Sequence, residues 1–109
     1  DILVMGKGVY ISEITANGKI KFINEKSVAR GGSIRAGSEL VCRIVGSSAG
    51  VPTRLQVDKT GSIFVDAAYQ NTIFVVGHKE YTLEKPSKNI HAYLDPKGDM
   101  IVDKLLMEV

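Results

Sequence analysis

Apolar residues in the early part of the chain occur in short bursts that alternate with polar residues and are separated by glycines. Val9-Tyr10-Ile11, Ile20-Lys21-Phe22 and the run from Leu40 to Val45 are typical. Successive side chains of a strand point to opposite faces, so this alternation of β-branched and aromatic residues predicts β-strands. The bursts are short for strands, and no segment predicts a helix longer than one turn.

A repeated glycine unit separates several of these bursts. Glycine stands two or three positions before a branched aliphatic residue in Gly18-Lys19-Ile20, Gly32-Ser33-Ile34, Gly37-Ser38-Glu39-Leu40 and Gly61-Ser62-Ile63. Because glycine adopts positive φ without strain, each unit fits a corner followed by an inward-pointing side chain. The repetition predicts a short parallel β-helix, in which each strand stacks on the equivalent strand of the preceding turn. A sandwich or barrel of hairpins is the alternative, because it also combines strands with glycine-rich turns.

The aliphatic side chains of these units are predicted to fill the interior of the coil. The alternation assigns inward positions to six residues: Ile20, Ile34, Leu40, Ile44, Leu55 and Val57.

The second half of the chain predicts a different kind of strand. Its apolar runs are separated by turn sequences such as Gly77-His78-Lys79-Glu80 and Asp95-Pro96-Lys97-Gly98-Asp99, in which proline pre-sets φ and glycine takes the left-handed position. We therefore predict one β domain over residues 1–109, with β-helix rungs in 1–60 and antiparallel closing strands in 61–109. Residues 104–109 fit either a last strand or a frayed tail.

Composition and charge narrow the functional classes. With 109 residues, 44% of them apolar and 24% charged, the chain has the balance of one globular domain. The net charge of +2 is too small to imply a nucleic-acid or membrane partner. No apolar run approaches the roughly 20 residues of a membrane span. Cys42 is the sole cysteine, which excludes an internal disulfide and a multi-thiolate metal site. The opening Ile2-Leu3-Val4-Met5 is too short for the core of a signal peptide, so we expect a protein that is not exported, and a chain that begins at Asp1 fits a fragment of a longer protein.

Isolated reactive residues favour structural roles. His78 lies in a turn and His91 in an alternating strand, and neither has a second His or Cys at metal-ligand spacing. Cys42 lies between Val41 and Arg43 in a strand, where a buried thiol is more common than a nucleophile. The sequence therefore predicts no catalytic residue, no metal site and no cofactor.

Two sets of charged residues, three aspartates and seven basic residues, are candidates for a binding role. The aspartates Asp95, Asp99 and Asp103 lack the glycine and distal glutamate of a calcium loop, and the turn explains the first of them. Basic residues with aromatic neighbours can bind single-stranded nucleic acid. Acidic residues are interspersed among them here, which favours a solvated mixed face. The basic residues concerned are Lys19, Lys21, Lys26, Arg30, Arg35, Arg43 and Arg54.

Several segments together resemble a known family. They are Ser33-Ile34-Arg35-Ala36-Gly37-Ser38-Glu39-Leu40, then Val45-Gly46-Ser47, then Gly50-Val51-Pro52-Thr53-Arg54-Leu55-Gln56-Val57, and later the strand-like runs from Tyr69 to Leu94. This pattern resembles the flagellar assembly protein A family, long catalogued as a domain of unknown function, over nearly the whole chain. The resemblance implies a right-handed parallel β-helix from a bacterial cytoplasmic protein, linked in some members to flagellar assembly or motility. It implies no catalytic motif.

Two features depart from that family. A long helical insertion usually follows the Val-Pro-Thr segment, whereas only Asp58-Lys59-Thr60 precedes Gly61 here, so the insertion has been removed or this is a reduced member. The family's Tyr-Pro-Gly corner is replaced by Tyr69-Gln70-Asn71. Because asparagine tolerates the left-handed conformation, we expect this corner to persist.

These observations predict a non-enzymatic structural module. We expect a homo-oligomer, a dimer formed through exposed strand edges or the C-terminal strands, that scaffolds unidentified protein partners without binding a membrane. The alternative is a small β-barrel that binds single-stranded nucleic acid.

Overall fold

The computed structural model describes residues 2–4, 8–10, 13–22 and 28–106, and these form β-strands and turns without any helix. In particular, they contain no apolar helix long enough to cross a membrane. The all-β prediction is confirmed. The strands in chain order are β1 (Ile2–Val4), β2 (Gly8–Tyr10), β3 (Glu13–Thr15), β4 (Lys19–Phe22), β5 (Val28–Arg30), β6 (Ser33–Arg35), β7 (Glu39–Val45), β8 (Thr53–Val57), β9 (Ser62–Ala68), β10 (Thr72–Val76), β11 (Lys79–Thr82), β12 (Ser87–Leu94) and β13 (Met100–Leu106).

The strands form two open, mixed sheets. The larger sheet has eight strands and the central order β1-β4-β7-β9-β12-β13, with β2 and β5 pairing beside it. The smaller sheet has the order β11-β10-β8-β6-β3. Neither sheet closes on itself, so the described residues form no barrel.

Pairing among strands β1 to β10 is parallel, and most partners lie about 20 residues apart in the chain. In the smaller sheet Ile14 pairs with Ile34, Ile34 with Leu55, and Leu55 with Phe74. In the larger sheet an equivalent inward series contains Ile20, Leu40 and Ile63. Six residues of the two series belong to one buried cluster, and Ile14 packs against it. Equivalent positions of successive chain segments therefore stack apolar side chains on one another.

The pairing becomes antiparallel at the C-terminal end of the stack. The Gly77-His78 turn brings β11 back along β10, and β12 runs antiparallel to β9. β13 then pairs antiparallel with β12. β9 and β10 themselves continue the parallel ladders from β7 and β8, so the reversal follows Val76.

Five of the six predicted inward residues are buried, at 1% exposure or less, and Ile44 is an exception. Ile44 is half-buried because the alternation along β7 changes phase at Arg43-Ile44, and Val45 points inward instead. β9 changes phase at the aligned positions Asp66-Ala67. Both strands bend there from one face of the core to the next, and strict alternation from Leu40 gives the wrong side for Ile44.

The glycine units have two structural roles, of which the sequence analysis recognised one. Gly32 has a φ of 66°, as expected for a corner. The prediction of positive φ is wrong for the other three glycines of these units, Gly18, Gly37 and Gly61. At Gly37, a Cβ would instead overlap the carbonyl oxygen of Asn17 in the preceding segment. Gly37 is therefore required by close approach of two backbones and not by its φ.

Two predicted turns are confirmed. Gly98 has a φ of 86°, and its N–H donates to the carbonyl oxygen of Asp95 at 2.9 Å, which closes the turn between β12 and β13. Asn71 has a φ of 70°, so the corner at 69–71 keeps a left-handed residue. The Asn71 side-chain amide also donates to the carbonyl oxygen of Gly50 at 2.8 Å, which fixes the loop after β7.

Candidate interaction surface

The exposed end of the larger sheet is formed by β13. Within the part of the chain that the structure describes, β13 pairs with β12 on one side only. Leu105 and Leu106 at its end are 56% and 58% exposed, the highest values among the large apolar residues described. An edge strand with apolar side chains is a surface on which another chain can pair.

A row of five outward side chains crosses the larger sheet at one level. The cross-strand register places Lys21 beside Val41, Val41 beside Phe64, Phe64 beside His91, and His91 beside Asp103. These residues belong to β4, β7, β9, β12 and β13, and we refer to them as the outer row. These five residues run from a cation to an anion with apolar or aromatic groups between them, and Leu3 on β1 pairs with Lys21 beyond the cationic end.

Aromatic rings at the centre of the outer row stack on one another. The Phe64 and His91 ring centroids lie 4.2 Å apart at an interplanar angle of 13°, and the His91 and Tyr93 centroids lie 4.5 Å apart. Phe64 remains 37% exposed on the sheet surface. The stack holds these side chains in fixed orientations, so a partner would meet an ordered aromatic surface.

The outer row was not predicted, because the alternation along the chain was interpreted only for inward residues. A signal was present in Ile63-Phe64-Val65, where three consecutive apolar residues give β9 apolar side chains on both faces. Strands with both faces apolar are typically covered on both faces.

The two histidines have different surroundings. His78 is exposed in the turn between β10 and β11. His91 lies in the ring stack, where its Nε2 atom is buried and has no hydrogen-bond partner among the described residues. The structure therefore does not bring the two imidazoles into one site.

Cys42 is fully buried in the core, with an outward-pointing neighbour on each side in β7. Burial raises the pKa of the Cys42 thiol far above its ordinary value, and the negative charge of Asp66 raises it further. The thiolate is the reactive form of cysteine, so the folded chain holds this group in an inert state.

Native protein is accordingly expected to resist alkylation by iodoacetamide at pH 8, whereas the same chain in denaturant reacts fully. Above about pH 8.5 only the unfolded chain ionises this thiol, so the free energy of unfolding should fall as pH rises further. Mass spectrometry of the labelled chain checks the first expectation. Native labelling at the rate of a free thiol would contradict it.

The three aspartates do not converge on a common ion. The Asp95 carboxylate accepts hydrogen bonds from the backbone N–H groups of Lys97 and Asp99, each at 2.9 Å, and so stabilises the turn. Asp103 lies on β13 at the end of the outer row. Within the described ranges, no three His, Cys, Asp or Glu side chains are grouped so that they could hold a metal ion.

Several of the basic residues lie beside carboxylates. Lys19 approaches Glu39 at 3.5 Å, Arg43 approaches Asp66 at 3.3 Å, and Arg54 approaches Glu80 at 2.9 Å. Each pair joins different strands across a sheet surface. This part of the surface is of mixed charge, while Lys26 lies outside the described residues.

A shallow groove of about 250 Å³ lies beside the loop after β7. Val28 and Ile44 contribute apolar lining, and Ser47 and Tyr69 contribute polar groups. The Ser47 hydroxyl is buried and has no hydrogen-bond partner within the described chain. Ile44, which the phase change in β7 turns out of the core, lines this groove and is only half-buried.

Comparison of the chain with family models, with curated proteins and with solved structures finds no match.

Proposed function

We propose that this chain is a non-enzymatic structural module that associates with a second copy of itself and presents flat sheet faces to protein partners. In this proposal the strands wind as a short right-handed parallel β-helix, and β11 to β13 cap its C-terminal end. The observation that carries the proposal is the C-terminal surface, where the edge strand β13 and the aromatic outer row lie on one exposed sheet.

The parallel registers support the β-helical winding. Three successive segments contribute inward residues at matching positions, with Ile20, Leu40 and Ile63 in one sheet. In the other sheet, Ile34, Leu55 and Phe74 make the equivalent series. A coil that advances by one strand spacing per turn produces such a repeat.

Small size favours association. A chain of 109 residues wound into few turns has a thin core, and each end of the stack leaves edge strands. Covering the apolar C-terminal surface with a second copy removes Phe64 and Leu105 from water, which is favourable at roughly 25 cal/mol per Å² of apolar area.

The wider biological setting stays a prediction. A role in flagellar assembly or motility, and a place in the bacterial cytoplasm, rest on the resemblance described above. We expect protein partners whose surfaces are complementary to a flat face of mixed charge with aromatic side chains at its centre.

Nucleic-acid binding is the second candidate, favoured by the partial exposure of the Phe64 ring, because bases stack on exposed aromatic rings. The sheets of the described residues are open, so they do not form the barrel that was predicted for this alternative. A fluorescent oligonucleotide titration at two salt concentrations separates the candidates, since phosphate contacts weaken steeply with salt.

Light scattering coupled to size-exclusion chromatography tests the proposed association. Over a wide concentration range, we expect the mass to rise from about 11.8 kDa, the mass of one chain, toward twice that value. The same mass at every concentration, equal to that of one chain, would refute the proposal of self-association.

A further inference from the structure

We infer that the two copies meet face to face across the outer row, with a two-fold axis parallel to β9 above Phe64, so that Lys21 of each copy meets Asp103 of the other. This inference rests on the self-association proposed above and specifies the surface that carries it.

When the outer row is turned end to end, its positive end lies opposite the negative end of the unturned row. Its order across the sheet is Lys21, Val41, Phe64, His91 and Asp103. Phe64 is central among these five residues, and the register continues beyond Lys21 to Leu3 on β1. Neighbouring strands lie about 4.8 Å apart, so the charged ends lie about 10 Å on either side of that centre.

A two-fold rotation about an axis along β9 reverses the order of strands in the facing sheet. Lys21 is then opposite Asp103 of the second copy, Val41 is opposite His91, and Phe64 is opposite Phe64. The symmetry makes every contact occur twice except the central one. Two ion pairs therefore flank one aromatic contact. Asp66, two positions along β9 from Phe64, faces Asp66 of the second copy, and Arg43 at 3.3 Å offsets the charge of each carboxylate.

Neighbouring charges on this surface do not compete for these ends. Glu39 already lies at 3.5 Å from Lys19, and Asp66 lies at 3.3 Å from Arg43. Both of those pairs are internal to one copy. Lys21 and Asp103 are exposed and are the charged residues that the row itself contributes.

The geometry also sets the strength of the contact. Five strands at about 4.8 Å, each contributing about four residues at 3.3 Å, cover roughly 300 Å² per copy. A stable interface of standard size covers about 800 Å² per partner. We therefore expect a weak, concentration-dependent dimer, weakened further by salt because its ion pairs are exposed.

Charge reversal tests the inference in the intact chain. Lys21→Asp and Asp103→Lys each place like charges together twice in the dimer, and each should raise the dimer dissociation constant about tenfold or more. The double variant carrying both changes restores opposite charges and should return the constant to within about threefold of wild type. Lys79→Asp, an exposed change on β11 in the other sheet, is the matched control and should have no effect.

Sedimentation equilibrium at low salt measures these constants, and circular dichroism verifies that each variant is folded. Recovery in the double variant supports the inference. Single variants that dimerise like wild type, or a double variant that stays weak, overturn it. In either case, a loss of dimer in Leu106→Lys, at the edge of β13, would place the interface at that edge and leave self-association intact. A monomeric wild type overturns both proposals.

Discussion

Ile34→Asp is expected to abolish folding of the chain. Ile34 has no solvent exposure and lies in register between Ile14 and Leu55, on the strand next to the edge strand β3 of the smaller sheet. A carboxylate at this position would be buried without a cation or a hydrogen-bond donor, which costs several kcal/mol. That loss is similar to the whole stability of a domain of this size, about 5–10 kcal/mol.

Two control variants are compared with Ile34→Asp. Ile34→Val removes one methylene from the same site and should lower the free energy of unfolding by about 1 kcal/mol. Thr15→Asp places the same carboxylate on the exposed face of the adjacent strand, opposite Arg35, and should unfold like wild type. Urea denaturation followed by circular dichroism measures all three. An Ile34→Asp chain with a wild-type transition would show that Ile34 does not point inward.

Gly37→Ala is expected to be the most damaging methyl addition in the described chain. The new Cβ would overlap the carbonyl oxygen of Asn17 and lie 2.7 Å from its carbonyl carbon. The Gly37 backbone cannot shift away freely, because the Gly37 N–H donates to the Gly18 carbonyl oxygen at 2.9 Å and the Gly37 carbonyl oxygen accepts from the Asp58 N–H at 3.0 Å. Overpacking of this kind typically costs about 1–3 kcal/mol or more, and a rigid backbone neighbour favours the upper end.

Gly98→Ala is the control for this substitution. Gly98 has a φ of 86°, but a Cβ there meets nothing within 4 Å. Its replacement should cost only the backbone strain of a left-handed alanine, about 1–2 kcal/mol. Thermal melting of the two variants compares the costs. A higher melting temperature for Gly37→Ala than for Gly98→Ala would show that the backbones of Gly37 and Asn17 do not approach each other closely.

Much of the strand pattern could be predicted from the sequence. Alternating residues located Ile20, Leu40 and Leu55 in the core, and turn chemistry located the bend around Gly98. These features depend on local periodicity and on φ, both of which single residues reveal. The prediction of Ile44 failed because a bend in β7 changes the phase of alternation, and that bend depends on contacts with strands distant in the chain.

The direction of pairing and the outer row were harder to predict. Residues such as Phe64 and His91 come from strands separated by a chain reversal, so their adjacency depends on register and not on spacing in the sequence. The sequence pattern also predicts the change to antiparallel strands at residue 61. β9 and β10 still pair in parallel with earlier strands because their inward residues extend the same ladders.

The interstrand nuclear Overhauser effects of isotope-labelled protein test the central claim most directly, namely that successive segments lie side by side in parallel register. The account predicts contacts between backbone protons of Ile34 and Leu55, and between those of Leu55 and Phe74, in the pattern of parallel strands. Close α-proton pairs characteristic of antiparallel strands, or the absence of contacts between these segments, would contradict the account.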